Sequence, residues 1–193
     1  MEILGKILGS QSRIKIMRLF LLNRSKAFNN NDIAKRSRVN LNIVRKEMKL
    51  LESVGFVKKR ATDCIFNPSF KYIGEFESLL ISSDSLDKDA IGEIFKKAGK
   101  IKLLLVSGIF IKDINSRVDL FIVGDKMKRS KIEEGIRKLE ADIGVELVYA
   151  IFDTKEFTYR LNMYDKLVRD VIDFPHEVIL QAKELSTQSL KKI

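Results

Sequence analysis

The sequence predicts an α+β protein in two parts. A basic region of short helices and one hairpin comes first, and a small α/β domain with a mixed sheet follows. Three observations predict this. Charge is divided unevenly: +9 of the net +10 falls on residues 1–80, which hold 16 Lys and Arg against 7 Asp and Glu. Up to position 81, apolar residues recur mainly at the three- and four-residue spacings of amphipathic helices. Beyond Ser82–Ser85, short apolar runs with β-branched residues alternate with helical stretches, as in helices packed on one sheet. With 193 residues, 45% apolar and 32% charged, and only 2 Pro and 10 Gly, the chain is globular in composition and long enough for one or two cores.

In the first part, Ser10 or Ser12 can cap a helix over about 13–22, where Ile14, Met17, Leu21 and Ile16, Phe20 fall at helical spacings. NRSKAFNNN reads as a polar loop. Asn31 is placed to cap a short helix over 32–37, with Asp32 favourable in its first turn. Ser37–Arg38–Val39 makes a tight turn. Asn40 caps a third helix over about 41–54, and Gly55 supplies the left-handed position that ends it. Residues 56–60 and 64–66 read as two short strands with Ala61–Thr62–Asp63 between them. Asn67–Pro68 breaks the hairpin, and a helix over about 72–81 follows.

Ser82–Ser83–Asp84–Ser85 is the one run of turn residues long enough for a linker, so the expected boundaries are 1–81, 87–182 and a polar tail over 183–193. In the second part, 87–100 is helical, and 101–106 and 117–123 are buried strands. Over 130–143 the pattern is an amphipathic helix, with Ser130 and Glu133 as a capping box and Gly144 as its stop. Residues 145–152 form a third strand. Thr154 caps a helix that persists to about Asp173, Phe174–Pro175 ends it, and 177–180 suits a short edge strand. There is no internal repeat.

Composition excludes several function classes. One cysteine, Cys64, gives no disulfide framework and no cysteine-built zinc cage. One histidine, His176, disfavours a His-rich metal site or a Ser-His-Asp triad; it follows Phe174–Pro175 and reads as a turn residue. No GxxxxGK[ST] or GxGxxG occurs. The start, MEILGKILGSQSR, has no secretory core, and Leu103–Ile111 falls short of the ~20 residues that span a bilayer. A cytoplasmic protein with no membrane partner is expected.

The third helix divides cleanly. Leu41, Val44, Met48 and Leu51 form a stripe suited to burial, and Asn42, Arg45, Lys46 and Lys49 fall on the other side. That outer face carries what a major groove is read with: Arg forks to a guanine edge, Asn to an adenine edge, and Lys neutralises phosphate. Lys58, Lys59 and Arg60 follow in the hairpin, where cations bind phosphate without sequence preference. A basic helix face is by itself commonly just solvated; here the order of elements, the Asn40 cap and the Gly55 stop add to it. The stretches GSQSRIKIMRLFL, NDIAKRSRVNLNIVRKEMKLLESVGFVKKR and IFNPSF resemble the winged helix-turn-helix repressors of the arsenic-repressor type. The resemblance implies that Asn42, Arg45, Lys46 and Lys49 read double-stranded DNA and that Lys58, Lys59 and Arg60 clamp it. It also implies a homodimer formed on the flanking helices 13–22 and 72–81. Metal sensing does not carry over, because Cys64 and His176 stand far apart in sequence.

In the second part, KLLLVSGIFIKDINSRVDLFIVGD resembles the nucleotidyltransferase core of the polymerase-beta superfamily in its minimal prokaryotic form. That family sets Gly-Ser after one strand and Asp-x-Asp on the next, with a third carboxylate later, to hold two Mg²⁺ for phosphoryl transfer. Here Ser107–Gly108 stands in reversed order, and after eight intervening residues come Arg117–Val118–Asp119. The resemblance matches the second Asp to Asp119 and the third carboxylate to Glu146. Arg117 replaces the first, a swing of two charge units that disfavours Mg²⁺. Asp119 and Glu146 then pair with Arg117 or lie as solvated strand ends, or Arg117 forks to the phosphate of a nucleotide or metabolite. The stretch DTKEFTYRLNMYDKLVRDVIDFP is similar to the helical tail of such fused proteins, and Tyr149, Phe157, Tyr159 and Tyr164 suit core or interface better than base stacking.

Taken together, the residues point to a DNA-binding transcriptional regulator without a cofactor, its second domain serving as sensor, scaffold or nucleotide- or protein-binding surface. The alternative is an active Mg²⁺-dependent nucleotidyltransferase, targeted by its winged helix, with Asp119, Glu146, Ser107 and Gly108 catalytic. A third, more distant possibility is an antitoxin-like partner protein.

Overall fold

The computed structural model describes residues 3–81 and 88–185. The expected linker at Ser82–Ser85 and the tail from 186 onward lie outside the described residues. The protein is mixed α and β, and it divides into two compact units. The first holds the described residues up to Ile81 together with Arg137–Glu146, and the second holds 88–136 and 147–185. Residues 137–146 fall with the first unit, although the sequence sets them beyond the Ser82–Ser85 linker.

The first unit runs α1 (Ile3–Ile7), α2 (Gln11–Leu22), β1 (Ala27–Phe28), α3 (Asn30–Ser37), α4 (Leu41–Ser53), β2 (Val57–Arg60), β3 (Asp63–Phe66) and α5 (Ile73–Ile81). Ser10 caps α2, its side chain accepting from Arg13 N–H. Asn29, and not Asn31, caps α3, accepting from the N–H groups of Asn31 and Asp32 at 2.9 and 3.0 Å. Arg38 takes the left-handed conformation at the end of α3, and Asn40 caps α4. Gly55, at φ +74°, turns the chain out of α4. Helix α1 and strand β1 are elements that periodicity does not predict. Strand β1 pairs antiparallel with β3, Ala27 opposite Ile65 and Phe28 opposite Cys64, and gives the three-stranded order β1-β3-β2.

One core holds this unit. Ile14, Phe20, Ile33, Val44, Met48, Leu51, Phe56, Phe66 and Leu80 are all buried in it. Each such side chain is worth about 1.5–3 kcal/mol on burial. Phe56 meets Phe66 and Phe70 edge to face at 5.3 and 5.2 Å, which ties the hairpin to the segment before α5. Helix α2 is consumed by this core, with Ile14, Ile16, Met17, Leu19, Phe20 and Leu21 all buried. The expectation that it offers an association surface is therefore corrected.

The segment Arg137–Glu146 packs on α2 within the same unit. Buried Arg18 donates to the carbonyls of Leu80 at 2.7 Å and Asp142 at 3.0 Å. Asn23 donates to the Gly144 carbonyl at 2.8 Å. Gly144, at φ +97°, lies so close to the α2 backbone at Arg18–Leu19 that any side chain would collide.

The chain continues with α6 (Lys88–Phe95), β4 (Lys100–Val106), a 3-10 turn (Gly108–Phe110), β5 (Leu120–Asp125), α7 (Arg129–Ile143), β6 (Tyr149–Phe152), α8 (Thr154–Asn162), α9 (Lys166–Asp173), β7 (Glu177–Gln181) and a 3-10 turn (Lys183–Leu185), all in the second unit except residues 137–143 of α7. The sheet order is β6-β5-β4-β7, with β5 parallel to β6 and β4 antiparallel to both its neighbours. The sheet is thus mixed, and β7 is an edge strand. Leu103, Leu105, Phe121, Val123 and Phe152 form one buried face with Phe157 and Leu161 of α8 and Val168 and Ile172 of α9.

Several expected bounds change. Helix α7 starts at Arg129, so Ser130 is inside it, and Glu133 bonds Arg129 at 3.0 Å instead of closing a capping box. The expected helix over 154–173 is two. Tyr164 takes φ +55°, and Asp165 caps α9 by accepting from Val168 N–H. Asp153, and not Thr154, caps α8. Leu185 is buried in the second core, so the tail is not wholly polar.

Candidate nucleic-acid interface

Helix α4 presents the predicted division of faces. Val44, Met48 and Leu51 are buried, and Leu41 is half-buried. Asn42, Arg45, Lys46 and Lys49 are exposed. Arg45 reaches Asn42 Oδ1 at 3.4 Å, a long hydrogen bond along the helix surface. Among the described residues, none of Arg45, Lys46 and Lys49 pairs with a carboxylate.

The side toward α2 holds a residue that periodicity missed. Glu47 is buried, accepting from Ser10 Oγ at 2.6 Å and from Arg13 Nε at 2.8 Å. A buried carboxylate needs such partners, since desolvation alone would cost several kcal/mol, order of magnitude. Two polar side chains of the α2 N-terminus thereby hold α4 in place. The capping Ser10 is the only sequence signal for this, and Ser10 gives no hint of a partner on α4. Ile43 and Leu50 of α4 and Val54 just beyond its end are also exposed.

The hairpin is fixed at its base and free at its end. Phe56 N–H donates to the Leu51 carbonyl at 2.9 Å. Val57 and Phe66 sit opposite each other and are buried in the core that takes Val44 and Met48. Lys58, Lys59 and Arg60 are exposed, and among the described residues they have no carboxylate partner. Ala61 turns the hairpin at φ +54°. Cys64 is half-buried in β3 opposite Lys59, and burial first, then Glu52, pushes its thiol up from the ordinary value. It packs in the strand, as the sequence suggests.

The second candidate site, around residues 107–119, is organised differently. Gly108 sits at φ +55° in contact with the Asp119 carboxylate, where a side chain would collide. Asp119 Oδ1 accepts from Ile109 N–H at 2.9 Å, and Oδ2 accepts from Val148 N–H at 2.8 Å. The loop amide of Ile109 is thus spent on the chain's own carboxylate. Ser107 is buried and donates to the Val118 carbonyl. Arg117 pairs with Asp170, and not with Asp119 or Glu146. Glu146 belongs to the first unit, where it pairs with Arg36 at 2.8 Å. Only one of the expected carboxylates therefore faces this loop, with both oxygens engaged by backbone donors and a guanidinium standing two residues before it. These residues do not fit a two-Mg²⁺ centre.

Three smaller expectations resolve here. His176 Nδ1 lies 2.9 Å from the Phe174 carbonyl, as a turn residue would. Phe157 is core, whereas Tyr149, Tyr159 and Tyr164 are exposed, so of the expected core or interface places the core holds Phe157 alone among these four. Tyr164 instead lies under the Arg169 guanidinium, 4.6 Å from the ring centre. No helix among the described residues is long and apolar enough to cross a membrane.

No protein-family model matches the chain. Comparison with curated proteins and with solved structures likewise gave no match.

Proposed function

We propose that the protein is a DNA-binding transcriptional regulator whose first unit is a winged helix-turn-helix. One observation carries this reading: an exposed helix face of Asn42, Arg45, Lys46 and Lys49, with no carboxylate partner for its cations among the described residues. An unpaired basic face costs self-repulsion in the free protein and recovers it against a polyanion. Asn42 and Arg45 supply base-edge recognition, and Lys46, Lys49, Lys58, Lys59 and Arg60 supply phosphate contacts and counterion release. Buried Glu47, held by Ser10 and Arg13, fixes the helix that does the reading.

The second unit, whose sequence around 102–125 carries the nucleotidyltransferase resemblance, acts in this proposal without nucleotidyl transfer, as scaffold, sensor or partner surface. Asp119 serves its loop and strand instead of a metal. A homodimer fits the exposed Ile3 and Ile7 of α1 and Leu79 of α5, and the two-fold symmetry of a dimer would call for a palindromic site.

The test is duplex titration at several salt concentrations, with wild type and with an Arg45→Ala, Lys49→Ala variant. Salt-sensitive binding by wild type, and loss of sequence preference in the variant, is the expected result. Wild type without salt-sensitive binding, or a variant that retains wild-type affinity and preference, overturns the proposal.

A further inference from the structure

The turn that leads into α4 lines a cavity of about 400 Å³ that lies wholly within the first unit. Its size falls among sites that hold small molecules, about 300–1,000 Å³. Four cationic side chains reach it, Lys35, Arg36, Arg38 and Arg137. Their states differ. Arg36 is fixed by Glu146 at 2.8 Å and by the Phe28 ring at 5.5 Å. Lys35 and Arg137 engage no carboxylate among the described residues, so an ammonium and a guanidinium fork line one cavity with their donors unspent. Asp32 and Glu140 line the same cavity; Glu140 and Arg38 are engaged, and the Asp32 carboxylate accepts no hydrogen bond among the described residues. Leu19 and Val145 add an apolar lining.

These features specify a ligand. Two open cations suit a doubly charged oxyanion, which a guanidinium binds through two parallel N–H bonds. An open carboxylate suits hydroxyl donors on the same molecule and repels a bare polyanion. A phosphomonoester with free hydroxyls meets both demands, and sugar phosphates and nucleoside monophosphates share that chemistry. Position gives the consequence. The angle between α3 and α4 is set by Arg38 at φ +53° and by Val39 N–H donating to the Ala34 carbonyl at 3.2 Å. A ligand bound beside Lys35 and Arg38 bears on that turn.

We infer that this cavity is an effector site for a small hydroxylated phosphomonoester, held by Lys35 and Arg137 through its phosphate and by Asp32 through its hydroxyls. The regulatory consequence rests on the DNA-binding reading; the binding itself does not.

The experiment is calorimetric titration of the full chain with ribose 5-phosphate and with AMP, and with ribose and adenosine as uncharged controls. At least one phosphorylated probe should bind one per chain, and the two arms tell a sugar phosphate from a mononucleotide. A Lys35→Gln, Arg137→Gln variant should bind at least about tenfold more weakly, the scale of one charge-assisted bond removed, with an unchanged melting temperature. Both side chains are exposed, so the variant should fold. An Asp32→Asn variant should weaken binding of the hydroxylated probes and leave inorganic phosphate unaffected. Bound probe should also shift affinity for duplex DNA. Failure of both phosphorylated probes at millimolar concentration, equal binding of ribose or adenosine, or undiminished binding by the double variant overturns the site. Binding without any shift in DNA affinity overturns the effector role. A chain that binds the probe and no DNA at all sinks the proposed function and leaves the site standing.

Discussion

The cations of α4 and the charges around residues 107–119 follow opposite rules. On α4, Arg45, Lys46 and Lys49 stand exposed with no carboxylate answering them among the described residues. Around Gly108, every expected charged group is engaged: Asp119 on two backbone amides, Arg117 on Asp170. Both regions carry a sequence pattern with a functional resemblance. The difference shows how to separate a site from its residue pattern. A group that is to meet a partner keeps its bonding capacity open, and a group that has become structural spends it inside the fold.

The contrast can be broken most severely at α4. Replacing Arg45 and Lys49 by Ala should weaken binding to a preferred duplex by about 100-fold, since a base contact of the forked kind is worth about 1–3 kcal/mol. Fluorescence anisotropy with preferred and random duplexes reads this, and the loss should be larger on the preferred one. The opposite kind of loss is expected at Asp119. Asp119→Ala leaves the N–H groups of Ile109 and Val148 without their acceptor and should destabilise the fold by about 1–3 kcal/mol. Urea unfolding would show it, while DNA affinity per folded molecule stays unchanged. If Asp119→Ala were stable, its carboxylate would not be structural, and the comparison would fail on that side.

A smaller effect should come from the hairpin. Replacing Lys58, Lys59 and Arg60 by Ala should weaken all duplexes alike. It should also flatten the salt dependence, by up to about 0.9 in log–log slope for each phosphate that these cations no longer neutralise. The same titrations with preferred and random duplexes check it. Unequal losses between the two would place the hairpin among the sequence-reading elements.

The smallest effect concerns pH. Hydrogen bonding to Lys102 holds the Asp125 and Glu184 carboxyls below the ordinary carboxylate range, and Glu184 and Asp125 raise Lys102. A depressed carboxylate contributes stability above its unfolded pKa and loses it as pH falls through the folded one. A raised lysine contributes below its unfolded pKa and loses that as pH climbs through the folded value. The cluster should therefore weaken below about pH 4 and again above about pH 10.5. Thermal melting across pH, compared with Lys102→Met, should show a shallower pH dependence in the variant at both extremes.

Local signals make α4 legible in the sequence. Asn40 at its start, Gly55 after its end and the spacing of Val44, Met48 and Leu51 all act within a few turns of one helix. The β2–β3 hairpin and the mixed sheet are legible for the same reason, as short β-branched runs bounded by turns. Strand β1 is not, because Phe28 sits alone among polar residues and becomes strand only by pairing with Cys64 far along the chain. The roles of Glu47 and Glu146 are equally hidden. Periodicity places Glu47 beside the buried stripe without revealing that Ser10 and Arg13 would neutralise it. The resemblance matches Glu146 to a carboxylate partner of Asp119, yet its chain segment packs on α2 and its carboxylate goes to Arg36. The break at Tyr164 is masked because helical spacing runs through it, and only Asp165, the capping residue, marks the second start.

The central claim is that open cations on α4 and the hairpin, and not the internally paired charges of the second unit, meet DNA. Lysine footprinting by mass spectrometry tests it directly, with the full chain labelled in the absence and presence of duplex DNA. Protection of Lys46, Lys49, Lys58 and Lys59, with unchanged labelling of Lys102 and of Lys131, which pairs with Glu134, is the predicted result. Protection centred on Lys102 and Lys131, with the α4 and hairpin lysines labelled as before, would contradict it.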